Sequence, residues 1–339
     1  MSALNIWMPL IETGTGSEVY THVLARRLRE RGHTVTLDSV AHAYQYCPWL
    51  APITPPAGAE VVLANSWNAV AFARHGMPLV SVCHLVVHDE ALTPYKSLAQ
   101  RAFHRLFVLP MERAAVRRAA LNVAVGPLVA RQMQRILGAT RVVTVNNGVD
   151  TEFFSPGPLV QRDADAPFKL LFVGKPSLRK GFDIAAKIVA RLGERAVFTS
   201  AGHEPAPDLP RPPGLYPGRL DKPALREAYR SADLLLFPSR MEGLSLAVAE
   251  AMACGLPVLV CEGSAMDEFV PAGAGIVRAA DDIDGFIRDI ETVIADPARH
   301  LGMRQLTRAF AAENLSETRW VEQMEQVLEA AREGSAPAF

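Results

Sequence analysis

Short apolar segments alternate with longer amphipathic segments along the chain, in two successive runs. In the first run the apolar segments cover residues 4–8, 34–40, 60–64, 79–83, 121–125 and 141–145. In the second run they cover 169–174, 196–201, 233–237 and 258–261. Short strands that are apolar on both faces and separated by helical patterns are typical of a parallel sheet covered by helices. The pattern therefore predicts an α/β protein with two doubly wound domains.

The two runs are separated by residues 146–167, which hold turn residues and few periodic apolar positions. We therefore predict a Rossmann-like domain over 1–150, a linker over 151–167 and a second Rossmann-like domain over 168–315. A crossover helix and tail are predicted over 316–339. A length of 339 residues suits two domains of ordinary size.

Composition indicates an ordinary globular protein whose charge is unevenly distributed. Residues 1–150 hold 14 basic against 9 acidic residues, whereas the whole chain has a net charge of −1. The first domain is therefore the half expected to face an anionic partner. The four cysteines lack C-x-x-C spacing, and neither a signal peptide nor a membrane span is apparent. A cytoplasmic location without a nucleic-acid partner is the expectation.

The most informative stretch runs from Phe237 to Pro257, as a strand end, a polar turn, an apolar helix and a Gly-Pro stop. A helix from Gly243 to Cys254 is apolar almost all round, which is typical of a buried helix. Glu250 is the one charge inside it, and a buried carboxylate needs a cation or a ligand rich in hydroxyl groups. With a helix in between, Glu242 and Glu250 would lie roughly 12 Å apart along the axis, beside free N–H groups. This spacing suits a sugar diphosphate.

A second interpretation of this stretch stays open on the residues alone. Ser239 and Glu242 fit the capping-box pattern S-x-x-E. Glu250 would then be a core glutamate paired with an arginine.

Two further loops that follow predicted strands carry candidate ligand-binding residues. Gly14 and Gly16 lie in the loop after the first strand and would let a ligand approach the backbone, although a plain tight turn explains them nearly as well. This loop lacks the third glycine of G-x-G-x-x-G, which weighs against an NAD enzyme. Lys175 and Lys180 flank the loop after residues 169–174, where they could neutralise a diphosphate or form a solvated basic loop.

Two histidines follow the strand over 79–83. His84 stands at its carboxyl end, which is the edge where ligands bind in open α/β sheets. His84, His88 and Asp89 make an improbable metal site, because no third histidine is placed nearby. We favour His84 as the residue of a ligand cleft, with His88 as the alternative for that role.

The string EGLSLAVAEAMACGLPV, residues 242–258, resembles the signature of family 4 retaining glycosyltransferases. The string NGVDTEFFSP, residues 147–156, resembles the interdomain linker of the same family. The resemblance implies the GT-B fold, in which two Rossmann-like domains face an interdomain cleft and a C-terminal helix crosses back to the first domain. It also implies transfer of a sugar from a nucleoside-diphosphate donor to a glycan or glycolipid acceptor bound by the first domain.

The resemblance assigns roles to individual residues. It implies catalytic roles for His84, Lys175, Lys180 and Glu242. It implies donor binding by Gly14, Gly16, Gly174, Arg219, Leu220, Gly243, Leu244, Ser245, Leu246 and Glu250. Lys175 replaces the family's usual arginine, so bidentate contact is lost there unless Arg179 supplies it. The chain shows no D-x-D motif in the expected cleft, so neither a metal ion nor another cofactor is expected.

Other functions remain compatible with the same fold. A sugar-nucleotide epimerase or a phosphorylase would use a similar cleft, and a non-catalytic nucleotide-sugar-binding subunit would keep it without turnover. The sequence identifies neither the donor sugar and base nor the acceptor.

A long helix predicted over 94–119 is both basic and amphipathic. Its basic residues are Lys96, Arg101, Arg105, Arg113, Arg117 and Arg118, against the single acid Glu112. Its apolar residues include Leu98, Ala102, Phe103, Leu106, Phe107 and Leu109. Such a helix can lie on an anionic membrane surface. The alternative is that its apolar side packs on the sheet and its arginines are merely solvated.

Overall fold

The computed structural model describes residues 2–158 and 166–339. These residues form two compact units, which we call unit 1 and unit 2. Unit 1 comprises Met1–Asn147 with Thr318–Phe339, and unit 2 comprises Gly148–Glu317. Most of the second half of the predicted linker lies outside the described residues. Among the described helices, none combines the length and the apolar character needed to cross a membrane.

Unit 1 is built on a six-stranded parallel sheet. The strands are β1 Asn5–Ile11, β2 Thr34–Val40, β3 Val61–Asn65, β4 Leu79–Cys83, β5 Leu121–Ala124 and β6 Val142–Thr144. The helices are α1 Gly16–Glu30, α2 Ala69–Phe72, α3 Leu98–Phe103, α4 Leu109–Arg118 and α5 Pro127–Gln132. The strand order is β2-β1-β3-β4-β5-β6. Central strands such as β4 are buried along their whole length, as expected for a sheet covered on both faces.

Unit 2 carries a second six-stranded parallel sheet. The strands are β7 Phe168–Gly174, β8 Ala196–Gly202, β9 Leu215–Gly218, β10 Leu234–Phe237, β11 Val258–Cys261 and β12 Gly275–Arg278. The helices are α6 Phe182–Leu192, α7 Lys222–Ser231, α8 Leu246–Ala253, α9 Ile283–Ala295 and α10 Pro297–Asn314. The strand order β12-β11-β10-β7-β8-β9 reverses direction between β7 and β10. That reversal is the topological switch point, where ligands bind at the carboxyl ends of the strands.

The last helix, α11 Glu317–Glu333, contributes its residues from Thr318 onward to unit 1. Its buried side chains include Trp320, Met324 and Leu328. The C-terminal helix therefore returns to the first unit, and the predicted α/β class with two Rossmann-like units is confirmed.

The helix predicted from Gly243 begins three residues later, at Leu246. The backbone N–H of Glu242 donates to the Ser264 carbonyl at 2.9 Å, and that of Ser245 donates to Met266 Sδ at 3.5 Å. Because these groups are bonded to another loop, residues 242–245 stay outside the helix. The predicted helical spacing between Glu242 and Glu250 was therefore wrong.

The single helix predicted over 94–119 begins four residues later, at Leu98, and contains a π-helical segment. Residues Glu90–Tyr95 form a 3-10 helix, and Ser97 starts α3 with a reciprocal capping box to Gln100. A π-helical turn over His104–Val108 then joins α3 to α4. Ser97 and Pro94 favour a new start at this point, which the apolar periodicity alone did not reveal.

Two strands were missed by the sequence prediction. β9 lies inside the proline-rich stretch 202–219, where it pairs only with β8 as an edge strand and so tolerates Pro217. β12 is another edge strand, paired with β11. Both strands consist mostly of exposed or half-exposed positions, so neither forms a continuous apolar run.

Candidate active site

The loops that follow β7 and β10 meet at the switch point of unit 2, around the Glu242 carboxylate. Glu242 is buried, and its Oε1 lies 2.9 Å from Arg179 Nη1 and 2.7 Å from Lys180 Nζ. Ser239 Oγ donates to the same oxygen at 2.8 Å. The contacts that the structure records for this carboxylate all use Oε1. A carboxylate and two cations are thus fixed where a ligand would enter.

A close approach of the two loops makes this cluster possible. Gly181 has a φ of +67°, and a Cβ there would lie 1.9 Å from the Pro238 carbonyl oxygen. Only glycine fits this position, so Gly181 brings the preceding Lys180 against the second loop. Arg240 braces the same contact, since its backbone N–H donates to the Arg179 carbonyl and its guanidinium binds Asp183 at 2.7 and 2.8 Å.

Electrostatics keep Glu242 ionised despite its burial. Burial acts to raise the pKa of its carboxyl, but Lys180 and Arg179 outweigh it, with Ser239 adding a hydrogen bond, and the pKa is lowered. Together with the exposed Lys175, these loops present more positive than negative charge. The site therefore favours an anion such as a diphosphate.

The second glutamate has a different environment. Glu250 lies in α8, is partly buried, and accepts a hydrogen bond from the Tyr229 hydroxyl at 3.0 Å. Burial raises the pKa of Glu250 to about 7, against the smaller effects of Tyr229 and Lys222. Its recorded hydrogen-bond partner among the described residues is a tyrosine, so the predicted pairing with an arginine was wrong.

Replacing Glu250 with glutamine is expected to stabilise the ligand-free protein at pH 8. The raised pKa means that the native state binds a proton at Glu250 more tightly than the unfolded chain does. Protonated Glu250 therefore contributes its full stabilisation below pH 4.5, and this contribution is lost as pH rises through 7. Glutamine removes the cost of ionisation, and we expect a gain of about 1–3 kcal/mol at pH 8. Urea unfolding at pH 5 and pH 8 measures it. A gain equal at both pH values would contradict this explanation, and Glu291→Gln on the exposed side of α9 is the control.

The other predicted donor residues lie along the same edge of the unit 2 sheet. Gly174 ends β7 with a φ of +131°, and Lys175 follows it with an exposed side chain that has no polar partner in the described residues. Arg219 and Leu220 directly follow β9. The backbone amides of Gly243, Leu244 and Ser245 precede α8, and Leu246 is its first residue. The structure thus places these residues on three loops of one unit, and ion pairs join Arg179 and Lys180 to Glu242.

The capping-box interpretation of Ser239 and Glu242 was also wrong. Their side chains do meet, but Ser239 lies seven positions before α8, so it cannot cap that helix. The Ser239 hydroxyl instead donates to Glu242 and lies 3.2 Å from the Arg179 carbonyl oxygen in the loop after β7.

In unit 1, Gly14 and Gly16 lie where the sequence predicted, between β1 and the start of α1. The backbone N–H groups of Thr13 and Gly14 donate to Glu18 Oε2, each at 2.9 Å. The Glu18 carboxylate thus accepts the backbone hydrogen bonds of Thr13 and Gly14 in this loop. These contacts explain why the pKa of Glu18 is lowered.

The two histidines after β4 have different surroundings. His84 is partly buried, and burial lowers its pKa to about 4. His88 Nε2 lies 2.9 Å from the buried Glu112 Oε2, and Ser66 Oγ donates to Glu112 Oε1 at 2.6 Å. His88 is therefore held by a buried carboxylate, whereas His84 keeps its ring nitrogens unbonded in the described part of the chain.

Several residues that contact the candidate residues within each unit were missed by sequence reasoning. They share one property, which is that they act through contacts between positions distant in the chain: Tyr20, Ser66, Glu112 and Tyr229. Glu112 had one visible signal, because it is the only acid in a basic helix. The others have no signal in a single sequence. Groups of three or more residues able to hold a metal ion do not occur in residues 2–158 or 166–339.

Family comparisons agree with this geometry. Residues 167–296 match a family model described as glycosyl transferases group 1, and residues 39–153 match one described as glycosyltransferase family 4. D-inositol 3-phosphate glycosyltransferase 1 of Catenulispora acidiphila is 30% identical over 311 residues, which cover 80% of this chain and 72% of the relative. These matches span both units.

Two further proteins extend the comparison. A GDP-mannose-dependent alpha-(1-6)-phosphatidylinositol dimannoside mannosyltransferase of Mycobacterium tuberculosis is 31% identical over 185 residues, covering 50% of this chain and 48% of the relative. The structure of Anabaena HepE with UDP-glucose superposes with a TM-score of 0.75 at 17% identity, covering 97% of this chain and 100% of that chain. The likeness to HepE concerns the fold. The chain therefore belongs to the family 4 glycosyltransferases and has their GT-B fold.

Proposed function

We propose that the protein is a retaining, metal-independent glycosyltransferase that moves a sugar from a nucleoside-diphosphate donor to a glycan or glycolipid acceptor. The observation that carries this proposal is the cluster of Arg179, Lys180 and Glu242 at the switch point of unit 2. Cations there suit a diphosphate, and an ionised carboxylate suits the hydroxyl groups of a sugar. The Anabaena structure with UDP-glucose supports a donor of this kind.

Each side chain would have one task in the donor complex. Lys180, with Arg179 and Lys175, neutralises the diphosphate, whose charge rises as the sugar bond breaks. Glu242 uses Oε2 to accept hydrogen bonds from the donor sugar, since its recorded contacts occupy Oε1. Glu250 accepts from the ribose hydroxyls, and the amides from Gly243 to Leu246 hold phosphate oxygens at the start of α8.

The chemistry proposed is front-face displacement. The bond from the sugar's anomeric carbon to the diphosphate oxygen breaks, and the acceptor oxygen bonds to that carbon on the same face. The acceptor's proton passes to the departing diphosphate oxygen. Glu242 is held by two cations through Oε1, so we assign it to orientation of the sugar rather than to covalent attack.

Donor consumption tests this function. The full chain is incubated with UDP-glucose, GDP-mannose and other nucleotide sugars, with and without acceptor extracts, phosphate and EDTA, and NMR follows the anomeric protons. We expect release of nucleoside diphosphate and a product with the donor's anomeric configuration, unchanged by EDTA. Inversion at the anomeric carbon, strict dependence on phosphate, or a requirement for added Mg²⁺ would each overturn part of the proposal. Epimerised donor would indicate an epimerase, and binding without turnover a non-catalytic subunit.

The acceptor is proposed to be lipid-linked, reached by peripheral contact of unit 1 with the cytoplasmic face of an anionic membrane. In α3 and the following π turn, Leu98, Leu106 and Phe107 are 79%, 67% and 56% exposed. The alternative interpretation, in which the apolar side of the predicted helix packs on the sheet, holds for Ala115 and Val116 of α4. It is wrong for residues 98–107, where these large apolar side chains are exposed. The mannosyltransferase relative, by its name, acts on a phosphatidylinositol dimannoside, which is consistent with a lipid acceptor here.

A second segment extends this exposed surface. The ring of Tyr46 lies 5.3 Å from that of Phe103, and Trp49 and Leu50 beside it are also exposed. Arg101 and Arg105 are exposed on the same helix, so apolar and basic groups occur together. Lys96 is not part of this surface, because burial lowers its pKa and its ammonium donates to the Val87 carbonyl. Aromatic and aliphatic groups beside arginines suit an anionic lipid surface.

Liposome co-sedimentation tests this contact. We expect the protein to bind vesicles rich in phosphatidylglycerol and to dissociate as salt rises, with each lost arginine weakening binding by up to about 1 kcal/mol. The double variant Arg101→Ser, Arg105→Ser should lose most of the binding. The matched control Arg117→Ser, Arg118→Ser makes the same charge change at the far end of α4 and should retain more. Equal binding to neutral vesicles, or none to either kind, would contradict the proposal.

A further inference from the structure

His84 lacks the support that usually orients a functional histidine. A histidine in a site is ordinarily fixed by a hydrogen bond from one ring nitrogen to a carboxylate or carbonyl. His88 has such a bond to Glu112 at 2.9 Å, but His84 has none among the described residues. Some other contact must therefore set the orientation of the His84 ring at the end of β4.

Tyr20 of α1 makes that contact. Its ring lies 4.7 Å from the His84 ring, centroid to centroid, with an interplanar angle of 78°. An edge-to-face arrangement of this kind is a favourable geometry for aromatic rings. Tyr20 is itself 4% exposed, so its ring cannot move away without opening the core of unit 1. Its hydroxyl donates to Met324 Sδ at 3.6 Å, which fixes the ring further.

The C-terminal helix backs Tyr20 from the other side. The Trp320 ring of α11 lies 4.7 Å from the Tyr20 ring and is 2% exposed. Trp320 and Met324 are four positions apart and so lie on one face of α11. Trp320 and Met324 of α11, Tyr20 of α1 and His84 at the end of β4 therefore form a continuous series of contacts, in which neighbouring rings meet tilted or edge-to-face. We call this series the stack. All four residues belong to unit 1.

We infer that Tyr20 and Trp320 are positioning residues, which hold the His84 ring at the carboxyl end of β4 with both of its nitrogens open to a ligand. Burial lowers the pKa of His84 to about 4, so the ring is neutral at physiological pH and offers one donor and one acceptor. Tyr20 is the titratable side chain that touches it in the described chain, and no charged group contributes to the shift. The stack thus gives α11 a role in orienting His84, besides its packing in the core of unit 1.

NMR of the full chain tests the placement without any ligand. The nine histidines are followed by pH titration, and His84 is assigned by the resonance that His84→Gln removes. We expect cross-relaxation between the His84 and Tyr20 ring protons and a His84 pKa near 4 in the wild type. Tyr20→Leu should raise that pKa toward the ordinary histidine range, whereas Tyr20→Phe, which keeps the ring, should not. Trp320→Leu should shift it in the same direction by a smaller amount.

Trp67→Leu is the matched control, because Trp67 touches His104 in unit 1 rather than the stack. The control should leave the His84 resonance unchanged. Absence of the His84 to Tyr20 cross-relaxation, or a His84 pKa that is the same in Tyr20→Leu as in the wild type, would overturn the inference. If Tyr20→Leu fails to fold, the cross-relaxation in the wild type and the pH titration of Trp320→Leu still test the positioning of His84.

The catalytic consequence rests on the proposed function and is tested separately. We expect Tyr20→Leu and His84→Gln each to lower donor turnover roughly tenfold, and the double variant to be no worse than His84→Gln alone. Tyr20→Phe should keep near wild-type turnover. Additive losses would show that Tyr20 acts independently of His84 and would overturn the positioning role. Absence of any turnover in the wild type would reject the proposed function, while the titrations would still report on the stack.

Discussion

Replacing Glu242 with alanine is expected to lower turnover by roughly 100-fold or more while leaving affinity for a nucleoside diphosphate within a few-fold of the wild type. The reason lies in the proposed roles of the cluster at the switch point, which assign the carboxylate to the sugar and the cations to the diphosphate. Removing Glu242 frees Arg179 and Lys180 from their ion pairs, so diphosphate binding is maintained or strengthened. Steady-state kinetics and calorimetry separate the two effects.

A matched control distinguishes this result from a general effect of losing an ion-paired glutamate. Glu291 pairs with Arg195 on the exposed side of α9 in the same unit, so Glu291→Ala makes the same chemical change away from the site. Glu242→Gln keeps the size of the buried side chain, and it should also lose turnover. Loss of diphosphate affinity as large as the loss of turnover would contradict the assignment of Glu242 to the sugar.

Replacing Lys180 with alanine is expected to lower turnover by roughly 100-fold, with a smaller change in donor affinity. The ammonium should matter most when the diphosphate departs, because its negative charge is then greatest. Lys180 is also the leading cause that lowers the pKa of Glu242, so that pKa should rise in the variant. The acid limb of the rate profile should accordingly move to higher pH.

Lys187 provides the control for this variant. It is exposed on α6, seven positions away, so Lys187→Ala removes one lysine from the same unit without touching the cluster. Unchanged turnover in Lys180→Ala, with weakened donor binding alone, would place Lys180 in recognition of the donor only. An unshifted acid limb would show that Glu242 does not control the rate in that pH range.

The fold could be predicted because most of its strands carry their own local signal. Buried parallel strands are continuous apolar runs, so most strands and the order of helices between them were found from the sequence. β9 and β12 were missed because most of their positions are exposed or half-exposed, so they lack the apolar run of a buried strand. The start of the helix at Ser97 was missed because the prediction followed apolar periodicity and overlooked the capping-box pattern of Ser97 and Gln100.

The site was only partly predictable, for a related reason. Glu242, Lys180 and Lys175 stood out because their charges follow strand ends. Their mutual contacts depend on the approach of Gly181 to Pro238, two positions far apart in the chain. The same limit applies to the partner of Glu250. Its position in an apolar helix predicted that the carboxylate needs a partner, but the sequence does not show that Tyr229 supplies the hydrogen bond.

The most direct test of the account is calorimetric titration of nucleoside diphosphates into the wild type, Glu242→Ala and Glu250→Ala. If unit 2 holds the donor as proposed, the wild type binds at least one nucleoside diphosphate, Glu242→Ala binds it comparably, and Glu250→Ala binds it at least tenfold more weakly. Failure of the wild type to bind any nucleoside diphosphate, or equal affinity in all three proteins, would contradict the central claim that these residues form a nucleotide-sugar site.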